Sequence, residues 1–156
     1  MKRALLALFV LWEPQAEAQQ PGWEVRVPER TSVALGGTTL VPIAIAVDRG
    51  LTVSKDGPVI VELVPEGGVS IKKRRLGRAD AVDPDADAPR FAVQVRGDAG
   101  GDHTVKIRVK LWLCGGKVCR PLDIRRQLTV TVEAPTPADA GNDAGLDVPD
   151  ARHRTR

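Results

Sequence analysis

Aromatic residues are scarce in this chain of 156 residues. It contains no tyrosine, two phenylalanines and three tryptophans, so a hydrophobic core has to be built mainly from valine, isoleucine and leucine. Valine and isoleucine branch at Cβ, which favours strands over helices. After residue 18, no segment repeats its apolar residues with the helical period over about ten positions. The sequence therefore predicts an all-β protein.

Histidine and cysteine are also rare, with two of each. His103 is eleven residues from Cys114 along one predicted strand. That is about 35 Å in an extended chain, so the two do not form the base and nucleophile of a cysteine hydrolase. A zinc site on Cys114, Cys119 and His103 would need a fourth ligand, and the aspartates after residue 135 lack the spacing of a calcium loop. We therefore expect no metal and no cofactor.

An excess of charge of one sign is missing as well. The 23 basic and 20 acidic residues leave a net charge of +3, which does not predict nucleic-acid binding. Residues 72–75 and Arg78 form a local basic run. We interpret the run as the charges of a solvent-exposed edge strand that discourage pairing between edges. Attraction of an acidic partner or an anionic surface is the alternative.

No apolar run is long enough to cross a membrane. The longest near the start, residues 4–12, falls well short of the about 20 residues that a spanning helix needs. Lys2 and Arg3 precede it and Ala-Glu-Ala follows at residues 16–18, which is the order of a secretory signal peptide. We expect residues 1–18 to be removed. The remainder is predicted to be an exported protein, either periplasmic or secreted, that does not span the membrane.

Short alternating stretches, separated by glycine, proline and aspartate, follow the predicted signal peptide. Strands spaced in this way over about 110 residues predict an immunoglobulin-like antiparallel β-sandwich, here over residues 19–134. Pro42 implies an edge position or a bulge for its strand. Residues 135–156 are rich in Asp, Ala and Gly and predict a disordered tail. The strand candidates are residues 23–27, 32–35, 39–47, 58–64, 69–76, 90–96, 103–113 and 122–133.

The two cysteines, Cys114 and Cys119, flank a turn between two strand candidates. Gly115 and Gly116 can make a tight reversal there, so the sequence predicts that the thiols face each other across the tip of a β-hairpin. Outside the cytosol such a pair is expected to be oxidised. Because the count is even, no thiol is left for a bridge to another chain.

The residues alone leave two functions open for this pair. A structural disulfide would close a six-residue ring and stabilise the fold by about 2 kcal/mol, although the hydrogen bonds of the strand ladder already join the two arms. A redox centre would draw on Lys117 and Arg120, whose charges favour a thiolate, and on Pro121, which fixes the chain. Trp112 and Leu113 would give the sulfurs an apolar surround.

The stretch from residue 101 to residue 132 resembles the amino-terminal periplasmic domain of the thiol:disulfide interchange protein DsbD family. Members often carry an aromatic residue before a Cys-x4-Cys-x-Pro hairpin. Trp112, Cys114, Cys119 and Pro121 stand in comparable places. The resemblance implies an immunoglobulin-like sandwich whose hairpin cysteines take electrons from a membrane donor and pass them to periplasmic thiol-disulfide proteins. It also implies that Cys119 is the attacking thiol and Cys114 the resolving one.

The chain departs from this family at several places. Arg120, a single Pro121 and Leu122 stand where many members have an aromatic or aliphatic residue and paired prolines. The family's cap loop has no clear counterpart, and Phe91 and residues 80–89 are candidates by elimination. We expect any electron donor to be a separate chain. The sequence therefore predicts an exported thiol-disulfide exchange module, with a non-catalytic immunoglobulin-like binding or scaffold domain pinned by a structural disulfide as the alternative.

Overall fold

The computed structural model describes residues 22–135. This range contains ten strands and one short 3-10 helix, Arg78–Asp80, and none of it forms a helix long and apolar enough to cross a membrane. The predicted signal peptide and nearly all of the predicted tail lie outside the described residues. The strands are β1 (Trp23–Arg26), β2 (Arg30–Ala34), β3 (Thr38–Val47), β4 (Leu51–Val53), β5 (Ile60–Glu66), β6 (Val69–Ser70), β7 (Arg75–Gly77), β8 (Arg90–Gly97), β9 (Gly101–Gly115) and β10 (Val118–Glu133).

The strands form two sheets that pack face to face. The small sheet has the order β1–β3–β8–β6, and its neighbouring strands are antiparallel. The large sheet has the order β2–β10–β9–β5–β7, with β4 also paired to β9. Among these strand pairs, only β2 and β10 run parallel. The predicted immunoglobulin-like antiparallel β-sandwich is therefore confirmed.

The core between the sheets is aliphatic. Within residues 22–135, every buried apolar side chain is Val, Ile or Leu except Phe91 and Pro89, and no polar or charged residue is buried. Alternation along β8 and β9 turns every second side chain inward, as a half-buried strand requires. The shortage of aromatic residues in the sequence is thus met by branched aliphatic packing.

Residues 69–76 are not the single strand that their pattern predicts. They form β6 at the edge of the small sheet and β7 at the edge of the large sheet, and the chain crosses between the two edges over residues 71–74. Ile71 is buried in the crossover, whereas Lys72 and Arg74 are exposed. The alternation of Val69 and Ile71 stops at the four exposed basic residues 72–75, and the change of sheet falls at this interruption.

Pro42 lies in β3 where that strand has a neighbour on one side only. β8 pairs with residues 38–44 of β3, but β1 pairs only with residues 44–47. Proline lacks an N–H and is tolerated where no ladder bond is required. The edge position expected for Pro42 is therefore found within a strand that is otherwise central.

Candidate functional site

The hairpin of β9 and β10 turns over two residues, Gly116 and Lys117. Gly115 pairs with Val118 to close the turn, and Gly116 has φ +60°, the left-handed value required at the first turn position. Gly115 serves a different purpose. A Cβ added to it would lie 2.8 Å from Leu51 Cδ2, so its lack of a side chain lets β4 approach the tip.

Cys114 and Cys119 are directly opposite each other and are bonded. Their Cα atoms are 4.0 Å apart and their Sγ atoms 2.01 Å apart. The hairpin disulfide that the spacing predicts is therefore confirmed. Leu111 and Leu113 point into the core, so alternation places the side chain of Cys114 on the outer face of the large sheet. The disulfide lies outside the hydrophobic core.

The two sulfurs differ in their surroundings. Cys114 is half-buried because β9 is flanked there on both sides, by β10 and by β4, where Thr52 is its register partner. Cys119 is exposed because β10 has a neighbour on one side only at that position. β2 pairs with β10 only at residues 129–133.

Trp112 and Pro121 lie beside the disulfide on the same face. They are register partners two residues along the hairpin from the cysteines, and Trp112 is 39% exposed. Gly57 packs against it, since an added Cβ there would lie 3.2 Å from Trp112 Cβ. Leu113 is 2% exposed and belongs to the core, so the expectation that it surrounds the sulfurs is wrong.

The basic residues near the cysteines take different positions. Lys117 is exposed in the turn, and Arg120 is exposed and opposite Leu113. Because neighbouring side chains in a strand point to opposite faces, Arg120 is directed away from the face that carries the sulfurs. Neither Lys117 nor Arg120 forms an ion pair with a residue in the range 22–135.

A shallow cleft of about 390 Å³ begins at Trp112 and Pro121, next to the disulfide, and extends along the outer face of the large sheet. Its apolar lining includes Trp112, Pro121 and Pro58, and Lys110 and Asp123 lie at its polar end. Nε of Arg108 donates to Oδ1 of Asp123 at 2.8 Å, and this hydrogen bond lowers the pKa of the Asp123 carboxyl group.

Arg78 ties the loop of residues 81–89 to β4. Its Nη1 donates to the carbonyl oxygens of Pro84 and Ala86 at 3.0 and 3.2 Å. Its Nη2 donates to the carbonyl oxygens of Val53 and Ser54 at 3.0 and 2.9 Å. One guanidinium group therefore holds two segments beside the first cysteine.

This role differs from the one expected for Arg78 in the sequence. Grouped with residues 72–75, it reads as part of an exposed basic run, but its Nε is buried without a hydrogen-bond partner in residues 22–135. Arg78 directly follows β7, which brings its side chain under the loop. No short-range pattern signals this, because the accepting carbonyls of Val53 and Ser54 lie more than twenty residues away.

The loop of residues 81–89 is ordered against β4. The N–H of Val53 donates to the carbonyl oxygen of Asp87 at 2.7 Å, and Oδ1 of Asp83 accepts the N–H of Arg90 at 2.7 Å. The backbone N–H and the guanidinium of Arg90 lower the pKa of Asp83. The loop thus borders the strand beside Cys114. The other cap candidate, Phe91, is 1% exposed within the small sheet, so it does not cover the sulfurs.

His103 has a structural role at the end of β9 that is remote from the disulfide. Its Nδ1 accepts the N–H of Gly68 at 2.9 Å, and its Nε2 donates to the carbonyl oxygen of Ala99 at 2.8 Å. The neutral tautomer with the proton on Nε2 satisfies both contacts. His103 therefore joins the two turns at that end of the sandwich.

Comparison with models of protein families and with curated proteins finds no match. Solved structures do match. Trypsin-activated alpha-2-macroglobulin of Escherichia coli has 15% identity and a TM-score of 0.42, over 74% of this chain and 7% of that one. Murine CRIg has 8% identity and a TM-score of 0.39, over 71% and 98% of the two chains. AggA, the major subunit of aggregative adherence fimbriae type I of Escherichia coli, has 10% identity and a TM-score of 0.35, over 71% and 95%.

The chain thus spans 7% of the length of the macroglobulin and nearly all of the length of the other two proteins. At these identities and TM-scores the likeness carries no argument about function. The disulfide and its surroundings are therefore the features of this chain that bear on its function.

Proposed function

We propose that this protein is an exported thiol-disulfide exchange module that passes electrons between Cys114–Cys119 and the dithiol of a partner protein. The proposal is of the kind that the resemblance to the amino-terminal domain of the DsbD family implies. The observation that carries it is the exposure of Cys119 within a bond on the outer face of the sheet. A thiolate can attack only a sulfur that it can reach.

The position of the bond also argues against a purely structural purpose. The β9–β10 ladder runs in register from Gly101 and Val132 to Gly115 and Val118, so the two arms are joined along their whole length without it. The bond crosslinks residues that are already adjacent in the folded state. Its contribution to stability is limited to the small ring that it closes, about 2 kcal/mol.

The exchange reaction balances as follows. A thiolate of the reduced partner attacks Sγ of Cys119, the Cys114–Cys119 bond breaks, and Cys114 leaves as a thiolate that takes up a proton. The partner's second thiolate then attacks the partner sulfur of the mixed disulfide, and Cys119 leaves. The partner dithiol is oxidised, the hairpin pair is reduced, and two electrons and two protons are transferred. The reverse sequence reduces a partner disulfide.

The surroundings suit Cys114 to the resolving role. Pairing with β4 and β10 on both sides holds its backbone opposite Cys119 while the mixed disulfide exists. Lys117 in the turn places a positive charge near the tip, which favours a thiolate over a thiol. Trp112 and Pro121 offer an apolar contact surface beside the bond.

Export is part of the same proposal. Disulfides persist outside the cytosol, and the chain has no cysteine outside this bond. We propose that residues 1–18 direct export and that the protein acts in the periplasm or outside the cell.

Mixed-disulfide trapping with single-cysteine variants tests the assignment. Oxidised glutathione is reacted with Cys114→Ala and with Cys119→Ala, and the adducts are followed by mass spectrometry. Because Cys119 is exposed and Cys114 is half-buried, we expect Cys114→Ala to form its adduct about ten times faster. Equal rates, or a faster reaction at Cys114, would contradict the assignment of Cys119 as the cysteine that forms the mixed disulfide with the partner.

A further inference from the structure

The strand that carries Cys119 has an open edge. Between residues 119 and 127, β10 is paired with β9 on one side and with no strand of the described chain on the other. β2 covers the same side of β10 only from Thr129 onward, where the Thr129 N–H donates to the carbonyl oxygen of Glu29 at 2.9 Å. We call residues 119–127 the open edge of β10.

The outward backbone groups of this edge follow from the antiparallel pattern. Since the N–H of Thr129 points toward β2, alternation directs the N–H groups of Cys119, Asp123, Arg125 and Gln127 outward as well. Within residues 22–135, no backbone hydrogen bond outside the β9–β10 ladder uses them. Pro121 has no N–H, and its carbonyl is the outward group at that position. The outward carbonyl oxygen of Arg125 accepts from Nη1 of Arg126 at 2.9 Å, so the outward groups are free from the exchange site at Cys119 as far as Asp123.

The charge around this edge is positive. Lys117, Arg120 and Arg125 are exposed and have no acidic partner within the described range. The one acidic residue of the edge, Asp123, is bonded to Arg108. Arg126 donates to the carbonyl oxygens of Val25 and Arg125, so its charge also stays at this edge.

These features decide between two kinds of added strand. A second copy of this chain would bring the same basic side chains and a second Pro121 to the edge. Positive charges and proline on an edge strand are features by which proteins discourage edge-to-edge association. An extended strand with acidic side chains would be attracted by the same charges and could satisfy the outward N–H and C=O groups.

We propose that the open edge of β10 binds an extended, acidic segment of the partner protein as an added strand, next to the cysteine that exchanges with Cys119. This proposal rests on the proposed function and adds how the partner is recognised. Strand addition gives affinity through main-chain hydrogen bonds, and the basic side chains select acidic segments.

The test uses short synthetic peptides that each carry one cysteine. One alternates Asp with Val and Thr, a second has Lys in place of Asp, and a third is the acidic peptide with alternate amides N-methylated. The rate of mixed-disulfide formation is measured with the oxidised protein spanning residues 19–156. We expect the acidic peptide to react at least about tenfold faster than the basic one, with the advantage falling at high salt. N-methylation of the acidic peptide should remove most of this rate advantage.

Charge reversal in the protein supplies the matched control. Arg125→Glu should remove most of the advantage of the acidic peptide. Arg74→Glu makes the same change in net charge in the exposed crossover between the sheets and should leave the advantage in place. A variant ending at residue 135 tests whether the aspartates of the C-terminal segment compete for the edge.

The outcomes separate this proposal from the function on which it rests. Equal rates for the acidic and basic peptides, while glutathione still opens the disulfide, overturn the docking mode alone. Undiminished rates with the N-methylated peptide overturn strand addition. An acidic advantage that arises only after truncation at residue 135 assigns the edge to the chain's own tail and also overturns the proposal. If glutathione cannot open the disulfide, the exchange function fails, and the affinity of a serine version of the acidic peptide decides the docking mode separately.

Discussion

The two strands that meet at the disulfide differ in what lies beside them. At Cys114, β9 has a neighbour on each side, and the outer neighbour β4 is itself held by Arg78 and the loop of residues 81–89. At Cys119, β10 has only β9. A cross-strand bond would be symmetric in an isolated hairpin. The rest of the sandwich makes one sulfur supported and half-buried and leaves the other one reachable.

The first way to break this contrast is to remove the support on the Cys114 side. Arg78→Ala deletes a guanidinium that donates to four backbone carbonyl oxygens. We expect it to lower the free energy of unfolding by about 2–4 kcal/mol, because several carbonyls lose a charged donor at once. Urea denaturation measures the change.

The exposed Arg74→Ala is the control for Arg78, and it should stay within about 0.5 kcal/mol of the wild type. The reduced form of Arg78→Ala should also show faster alkylation of Cys114, since β4 is no longer held beside it. A stability change no larger than that of Arg74→Ala would contradict the structural role given to Arg78.

Substitutions of Gly115 and Gly116 test, at the tip of the hairpin, the difference between the Cys114 side and the Cys119 side. Gly116→Ala should cost about 1–2 kcal/mol because its φ of +60° is left-handed, although nothing lies within 4 Å of an added Cβ. Gly115→Ala should cost less but act on β4, since its Cβ would meet the flexible end of Leu51 at 2.8 Å.

A double-mutant cycle distinguishes the two glycines. Leu51→Ala should relieve the cost of Gly115→Ala and leave the cost of Gly116→Ala unchanged, as measured by urea denaturation. Additive effects in both pairs would mean that Leu51 of β4 does not pack against Gly115 at the turn.

The smallest effect concerns the acid stability of the loop beside β4. The pKa of Asp83 is lowered in the folded protein by hydrogen bonds from the backbone and guanidinium of Arg90. A carboxyl group with a depressed pKa stabilises the fold above its unfolded pKa, about 3.9, and this contribution is lost as the pH falls through the folded value. Asp83→Asn should therefore flatten the decline of stability below about pH 4. If the free energy of unfolding of Asp83→Asn declines with falling pH as steeply as that of the wild type, the Asp83–Arg90 contact does not stabilise the loop.

The sequence predicts the hairpin well because its signals are local. Two alternating stretches and a glycine pair between two cysteines lie within some thirty residues, and the structure pairs Cys114 with Cys119 across the hairpin as these signals predict. The all-β class follows equally directly from the aliphatic, β-branched composition. The proposed roles of Lys117 and Arg120 stay predictions.

What the sequence does not predict depends on contacts that are distant in the chain. β4 has three residues, too few to show an alternating pattern, yet it decides how exposed Cys114 is. The hydrogen bonds of Arg78 join β4 to the loop of residues 81–89, and no periodic pattern in the sequence relates these two segments. The difference between the two sulfurs arises from these long-range neighbours and is invisible in the spacing of the cysteines.

The reduction potential of the Cys114–Cys119 bond tests the exchange function most directly. The protein spanning residues 19–156 is equilibrated in glutathione and dithiothreitol buffers, free thiols are alkylated and counted, and tryptophan fluorescence monitors the fold. We predict reversible reduction at a potential above the about −300 mV that is typical of structural bridges, with the sandwich folded throughout. A potential below that value, or unfolding when the bond is reduced, would contradict the account and identify the disulfide as a staple.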